Sequence, residues 1–167
     1  SSYTAYQLYD YALISRLLVT VDEIMEEVEN RCRNFSDAMI GVHIRRTDNL
    51  ASIRQSPIEL CYQKLDEKIK EDGKVAIYLA TDSEEVKREM KERYGDRIFC
   101  SGKKAARGSL EGIREGITDM YTLARTQKIY GSFQSSFSDM AAQLGGDTLE
   151  ILKLCVSEIS TCFNVYL

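Results

Sequence analysis

Two short, nearly uninterrupted apolar runs, Ala38 to Ile44 (A-M-I-G-V-H-I) and Lys74 to Ala80 (K-V-A-I-Y-L-A), constrain this chain more than any other feature. A strand with one face in water alternates apolar and polar residues, whereas a continuous run calls for burial on both faces, as in a parallel sheet covered by helices. The intervening segments carry the matching helix signals. Ser56-Pro57-Ile58-Glu59 reads as an N-cap, a proline in the first helical position and a glutamate returning to the cap. That helix is expected to run to about Glu71 and to break at Asp72-Gly73. Thr81-Asp82-Ser83-Glu84 opens another, with Val86, Met90 and Tyr94 at four-residue intervals.

The same alternation continues downstream. A short strand is expected at Ile98-Phe99, a helix from Leu110 to about Thr126, a strand over Lys128 to Tyr130, a helix from Ser136 to Leu144 and a strand over Thr148 to Leu152. Thr47 to Gln55 reads as a polar loop. Upstream, Thr20-Val21-Asp22-Glu23 is a capping box opening a helix whose late arginines, Arg31 and Arg33, suit its dipole; residues 5–18 read as a further helix. Strands and helices in this order give right-handed βαβ crossovers and hence an α/β fold, a parallel sheet with helices on both faces. Its ligands are expected beyond the carboxyl ends of the strands. Residues 1–36 are expected to form a helical segment packing on a 37–167 core, within one compact domain.

Composition narrows the function classes. A chain of 167 residues, 44% hydrophobic, can bury one continuous core. A net charge of -4 argues against a general nucleic-acid binder. No run of eighteen apolar residues suggests a membrane span, and the first residues lack a secretory layout, so a soluble, cytoplasmic chain is expected. The five cysteines (Cys32, Cys61, Cys100, Cys155 and Cys162) form no C-x-x-C pair, and one histidine is too few to complete a zinc site, so structural thiols and no metal are expected.

Four constellations fall at the expected ligand side. The end of the first strand delivers His43, Arg45, Arg46, Thr47 and Asp48; alternation puts His43 and Arg45 on one face and Ile44 and Arg46 on the other. Arginine's planar fork suits a phosphate, although an Arg46–Asp48 ion pair and a satisfied core histidine account for the same residues. Asp82, at the end of the second strand, caps the following helix or orients a ligand. Gly131-Ser132-Phe133-Gln134-Ser135-Ser136-Phe137-Ser138-Asp139 offers N–H groups and hydroxyls to an anion, or merely caps a helix. On the long helix Gly112, Gly116 and Asp119 share a face, away from Ile113, Ile117, Met120 and Ala124. Two helical glycines cost about 1 kcal/mol each relative to alanine. Either the backbone packs closely there, or the bare stripe admits a flat base whose N–H groups meet Asp119. Lys103, Lys104 and Arg107 form a small basic patch in a loop.

Taken together, G-V-H-I-R-R-T-D-N at Gly41 to Asn49, the Ser56-Pro57-Ile58-Glu59 helix start, Y-L-A-T-D-S at Tyr78 to Ser83 and the block from Asp119 through Ser138 resemble GDP-fucose-dependent fucosyltransferases of the α1,6 and nodulation type. The likeness covers roughly residues 38 to 150. It implies a Rossmann-like domain, the donor-binding half of a glycosyltransferase B-type fold, acting in metal-independent, inverting transfer from GDP-fucose or a related GDP-sugar to a glycan or other hydroxyl acceptor, without a cofactor. It implies that Arg45 holds the β-phosphate, that His43 and Asp119 meet the guanine, and that Asp82, Ser135 and Ser136 complete the donor site with Arg46. Asp48 would lie near the diphosphate or sugar; it and Arg45 are the candidate catalytic groups. Lys103 or Lys104 would add positive charge near the leaving diphosphate. Where the family continues with a lysine and then a glutamate, this chain has Asn49-Leu50-Ala51-Ser52-Ile53, so the general base is unassigned and the domain alone is expected to bind nucleotide without necessarily transferring sugar.

Overall fold

The computed structural model describes residues 21–47, 50–103, 108–146 and 149–154. The expected helix over 5–18, Thr20, Asp48, Lys104, Arg107, Thr148, Cys155 and Cys162 lie outside them. A helix over residues 21–32 (α1) leads into β1 (Met39–Ile44), all six of whose residues are buried. Next come α2 (Leu50–Gln55), α3 (Ile58–Glu71), β2 (Ala76–Thr81), α4 (Glu84–Tyr94), a 3₁₀ turn, β3 (Ile98–Cys100), α5 (Leu110–Leu123), β4 (Ile129–Ser132), α6 (Ser136–Gly145) and β5 (Leu149–Leu152).

The five strands form one sheet in the order β3-β2-β1-β4-β5, and every pairing is parallel. Strand alternation divides the core. Ile40, Val42, Ile44, Ile77, Leu79 and Tyr130 face α3 and α4, where they meet Cys61, Leu65, Val86 and Met90. Met39, Tyr78, Ala80 and Ile129 face α5 and α6, where they meet Leu123, Ala141 and Ala142. The chain therefore winds one way from β1 to β3 and the other way from β4 to β5. The direction reverses between β1 and β4, which opens a crevice beyond their carboxyl ends. Among the described residues no helix is long and apolar enough to cross a membrane.

Several expectations are corrected. The span 47–55 is not all loop: Leu50–Gln55 is helical, closed by a Ser56 N–H to Ser52 carbonyl bond of 2.8 Å. Six residues hold too little periodicity to show in sequence, and Leu50 is exposed. Ser56 is no cap. Its hydroxyl donates to the Leu152 carbonyl and accepts from the Phe133 N–H, tying the start of α3 to β4 and β5, and the helix begins one residue after Pro57. Asp82 does not cap α4 either; Ser83 does, accepting from the Val86 N–H. α5 meets the sheet through Thr118 and Thr122 as well as Leu123, all three buried, while Ile113 and Ile117 are exposed. Both threonine hydroxyls donate to carbonyls of their own helix four residues back, so only their methyls need apolar surroundings.

Two strand glycines permit the close packing of this second face. A Cβ on Gly41 would sit 2.6 Å from Thr126 Oγ1, and one on Gly131 would sit 2.8 Å from Ser138 Cβ. Gly131→Ala is expected to push α6 off the sheet at a cost of about 1–3 kcal/mol, read as a lower urea midpoint. An unchanged midpoint would show that α6 yields freely. The thiols of Cys32, Cys61 and Cys100 are free. Burial pushes that of Cys61 up to about 12, which makes it a packing group rather than a nucleophile.

Candidate functional site

A cavity of about 190 Å³ opens at the reversal crevice. Its floor is the carboxyl ends of β1 and β2, with His43, Arg45, Ala80, Thr81 and Asp82; α5 forms one wall and Phe137 of α6 closes another side. His43 and Arg45 both line it, while Arg46 lines a small hollow on the opposite side of the sheet together with Ile44 and Cys61. That division is the strand alternation carried to its end.

His43 is 7% exposed and held on two sides. Its Nδ1 lies 3.1 Å from Ser138 Oγ and 3.3 Å from Ser135 Oγ, and its ring stacks on Phe137 at 4.6 Å between centroids. Ser135, at the N-cap of α6, makes no side-chain cap bond; its hydroxyl serves the histidine instead. Gln134, which turns the chain into this position, adopts φ 52°, a strained left-handed conformation for a residue with a Cβ. Ser136 is exposed at the first turn of α6. The Arg45 N–H donates to Ser132 Oγ at 3.3 Å, and that hydroxyl donates to the His43 carbonyl, so the backbone at the strand end is fixed from β4. Asp82 latches the adjoining loop, accepting from the Arg46 N–H at 2.8 Å and the Thr47 hydroxyl at 2.7 Å.

The glycine stripe of α5 lines the cavity, through Gly112 and Gly116, as do Glu115 and Asp119. A Cβ on Gly116 would meet nothing within 4 Å, so close backbone packing does not explain that glycine; it borders open space. Asp119 accepts from the Tyr78 hydroxyl at 2.7 Å and from Arg31 at 2.9 Å. Burial raises its carboxyl to about 6, a rise that Tyr78 and Arg31 only partly offset. Glu115 pairs with Arg31 at 2.7 Å; Ser101 and Arg31 outweigh burial and hold its carboxyl below the ordinary value.

Sequence reasoning missed four residues here. Arg31, Tyr78 and Glu115 form the network behind Asp119, and Lys87 brings a buried ammonium to the cavity, bonded to Glu84 and the Lys103 carbonyl at 2.8 Å each. Only Glu115 carried a signal, since it falls on the same helix face as Gly112 and Asp119. Among the described residues no group of three or more His, Cys, Asp or Glu side chains is arranged to hold a metal ion.

Comparison with known proteins identifies the family and the fold. The profile of the alpha-(1,6)-fucosyltransferase N- and catalytic domains covers residues 6–144. The fold is similar to that of the NodZ alpha-1,6-fucosyltransferase co-crystallised with GDP, at 26% identity and a TM-score of 0.54, over 74% of this chain and 41% of that one. It is similar to NodZ, an enzyme from Bradyrhizobium, soaked with GDP-fucose, at 25% identity and a TM-score of 0.55, over 81% and 45%. POFUT1 in complex with GDP shares the fold at 12% identity and a TM-score of 0.57, over 79% and 46%. This chain thus spans less than half the length of these solved relatives. No curated protein sequence matches it. Matched by one profile over most of its length and built on a Rossmann-like sheet of the kind seen in those glycosyltransferases, the chain belongs to the alpha-(1,6)-fucosyltransferase N- and catalytic domain family.

Proposed function

We propose that this chain is the donor-binding part of a fucosyltransferase and takes GDP-fucose, or a closely related GDP-sugar, in the crevice between β1 and α5. One observation carries the reading: His43, Arg45 and the bare Gly112–Gly116–Asp119 face converge on a single cavity at the sheet's reversal point. Arg45 takes the diphosphate as a bidentate partner. The guanine lies along the glycine face, with its N1–H and N2–H donated to Asp119 and its rim against His43. Asp82 holds the loop after β1 in place, Ser135 orients His43, and Ser136 with the N-terminus of α6 faces the anion. Arg46, on the far side of the sheet, supports the loop through its N–H rather than through its guanidinium. Asp48 remains a candidate group near the sugar. The acceptor is a glycan or another hydroxyl compound, and transfer proceeds with inversion.

Calorimetry with GDP, GDP-fucose, ADP and UDP tests the reading, with preference for the guanine nucleotides expected. Asp119→Asn presents an amide N–H₂ or a single neutral oxygen to the guanine edge, and is expected to weaken GDP binding roughly 10- to 100-fold. A GDP affinity equal to that for ADP would sink the assignment. The leaving diphosphate's charge is met by Arg45, backbone donors and lysines at the cavity, so activity in the full-length enzyme is expected to survive EDTA. Loss on chelation and recovery with a divalent ion would overturn that.

Asp119 also sets a pH dependence with two opposite signs. Its folded pKa lies above that of an ordinary carboxylate, so the native state holds the proton more tightly than the unfolded chain does. The associated stabilisation is complete below the unfolded pKa and is lost as pH rises through about 6. Guanine binding needs the ionised form, so GDP-fucose affinity is expected to fall as pH drops below about 6. Calorimetry between pH 5 and pH 8, with Asp119→Asn as the reference, reads it directly; equal slopes for the two proteins would exclude Asp119 from the base site.

The absence of a carboxylate over residues 49–53 favours a second reading, a nucleotide-binding module that does not catalyse transfer. GDP-fucose binding with neither hydrolysis nor transfer by the full-length protein would establish it.

A further inference from the structure

Arg31 lies on α1, outside every segment that resembles a donor-binding motif, yet its side chain is only 12% exposed and backs onto the cavity wall. Each edge of the guanidinium is used. Nε pairs with Glu27 at 3.0 Å and Nη2 with Glu115 at 2.7 Å, while Nη1 donates to Asp119 Oδ1 at 2.9 Å and to the Tyr78 hydroxyl at 3.1 Å. The Tyr78 O–H donates its own proton to the same Oδ1 at 2.7 Å. A carboxylate oxygen has two lone pairs, and these two donors occupy both on Oδ1. All hydrogen bonds that Asp119 makes among the described residues fall on that oxygen, and the residue lines the cavity. An arginine serving only to neutralise Asp119 would fork onto both oxygens; this one is spread over three acids and leaves Oδ2 open.

We propose that Arg31 is a positioning residue for guanine recognition: with Tyr78 it saturates Oδ1 of Asp119 and so aims Oδ2, with its two lone pairs, at the N1–H and N2–H of the base. The inference rests on the GDP reading above. Guanine offers two adjacent donors and adenine offers an acceptor at the same place, so a carboxylate oxygen held at fixed orientation discriminates where a swinging one would not. The groups facing Asp119 are Arg31 from α1, Tyr78 from β2, Lys87 from α4 and Glu115 on its own helix. Arg31 is the cation in direct contact, and an opposite charge at this distance lowers a carboxyl pKa by about 1–3 units. Its removal therefore shifts the acid limb of binding upward.

The test uses the full chain and GDP-fucose, whose diphosphate is esterified at both ends and does not titrate near neutrality. Arg31→Gln is expected to weaken binding at least about tenfold at pH 7 and to raise the pH at which binding is half lost by about one unit. Arg31→Lys should recover part of the affinity, because an ammonium keeps the charge but cannot span three acids. Tyr78→Phe keeps the packing and the Arg31 charge but frees one lone pair of Oδ1. It should lower the preference for GDP over IDP, which lacks the 2-amino group, several-fold, and it decides the matter if Arg31→Gln does not fold. Folded variants with the parent's affinity, pH limb and GDP-to-IDP ratio would overturn the proposal. If Asp119→Asn alone weakens binding, the GDP reading stands and the role of Arg31 falls; if the parent binds no GDP-fucose, both fall.

Discussion

Replacing Arg45 with alanine is expected to weaken GDP binding by about a hundredfold or more while leaving the fold in place. The residue stands just past the last paired position of β1, where Ile44 lies opposite Thr81. Its own N–H is tethered to Ser132 Oγ and the preceding His43 carbonyl to the same hydroxyl, and truncating the side chain leaves both of these backbone bonds in place. The side chain is half-buried and reaches the cavity. A truncated arginine leaves a diphosphate without its charge-assisted fork, a loss of about 2–5 kcal/mol in comparable buried charge pairs, which is some thirtyfold to several thousandfold in affinity. A substitution at a half-exposed strand end costs at most about 1 kcal/mol in stability. Arg45→Lys should fall between, since it keeps the charge and loses the planar fork. Calorimetry beside a thermal melt separates the outcomes. A melting temperature lowered by several degrees with affinity unchanged would make Arg45 a structural residue and remove the main support for the donor site.

The parts of this molecule that are legible in sequence are those set by local physics. Six consecutive buried residues in β1 announce a strand covered on both faces, and the alternation within it by itself assigns His43 and Arg45 to one side. The spacing of Gly112, Gly116 and Asp119 likewise places them on one helix face. What sequence could not decide was whether close backbone packing requires the glycines; at Gly116 it does not, since a Cβ there would meet nothing within 4 Å. The failures share a cause. Ser56 and Asp82 have the chemistry of helix caps, and each directs its hydrogen bonds across the fold instead, Ser56 to Phe133 and Leu152 and Asp82 to the loop after β1. Capping signatures record what a side chain can reach locally, and a tertiary partner of equal geometry wins without changing the sequence pattern. Arg31 is the extreme case. In the last turn of a helix it reads as a solvated partner of the dipole, and nothing local reveals acceptors 84 and 88 positions away at Glu115 and Asp119. Its burial beside a cavity is visible only once α1 and α5 are side by side.

Gly116 gives the prediction in which stability and function move apart. In a helix interior a glycine costs about 0.5–1 kcal/mol relative to alanine, through the backbone freedom of the unfolded chain. Gly41 and Gly131 offset their cost by letting side chains of α5 and α6 and their connections approach the strands, and a Cβ on either would collide below 3.0 Å. Gly116 has no such collision to avoid, so alanine there is expected to raise the free energy of unfolding by about 0.5–1 kcal/mol in urea titrations. The added methyl enters the cavity where the guanine is placed, so GDP affinity should fall even as the protein becomes harder to unfold. Gly116→Leu carries the effect further. Its side chain has room, since the cavity holds about 190 Å³, and it would occupy the base position outright; binding is expected to drop at least about a hundredfold with the melting temperature held or raised. A packing role for Gly116 predicts a loss of stability instead, and a ligand bound elsewhere predicts no change in affinity. A local rule broken with no packing reason marks a position kept clear for something absent from the folded chain itself. Should Gly116→Leu bind GDP as the parent does, the nucleotide does not lie over α5, and the roles given to Asp119 and Arg31 would go with it.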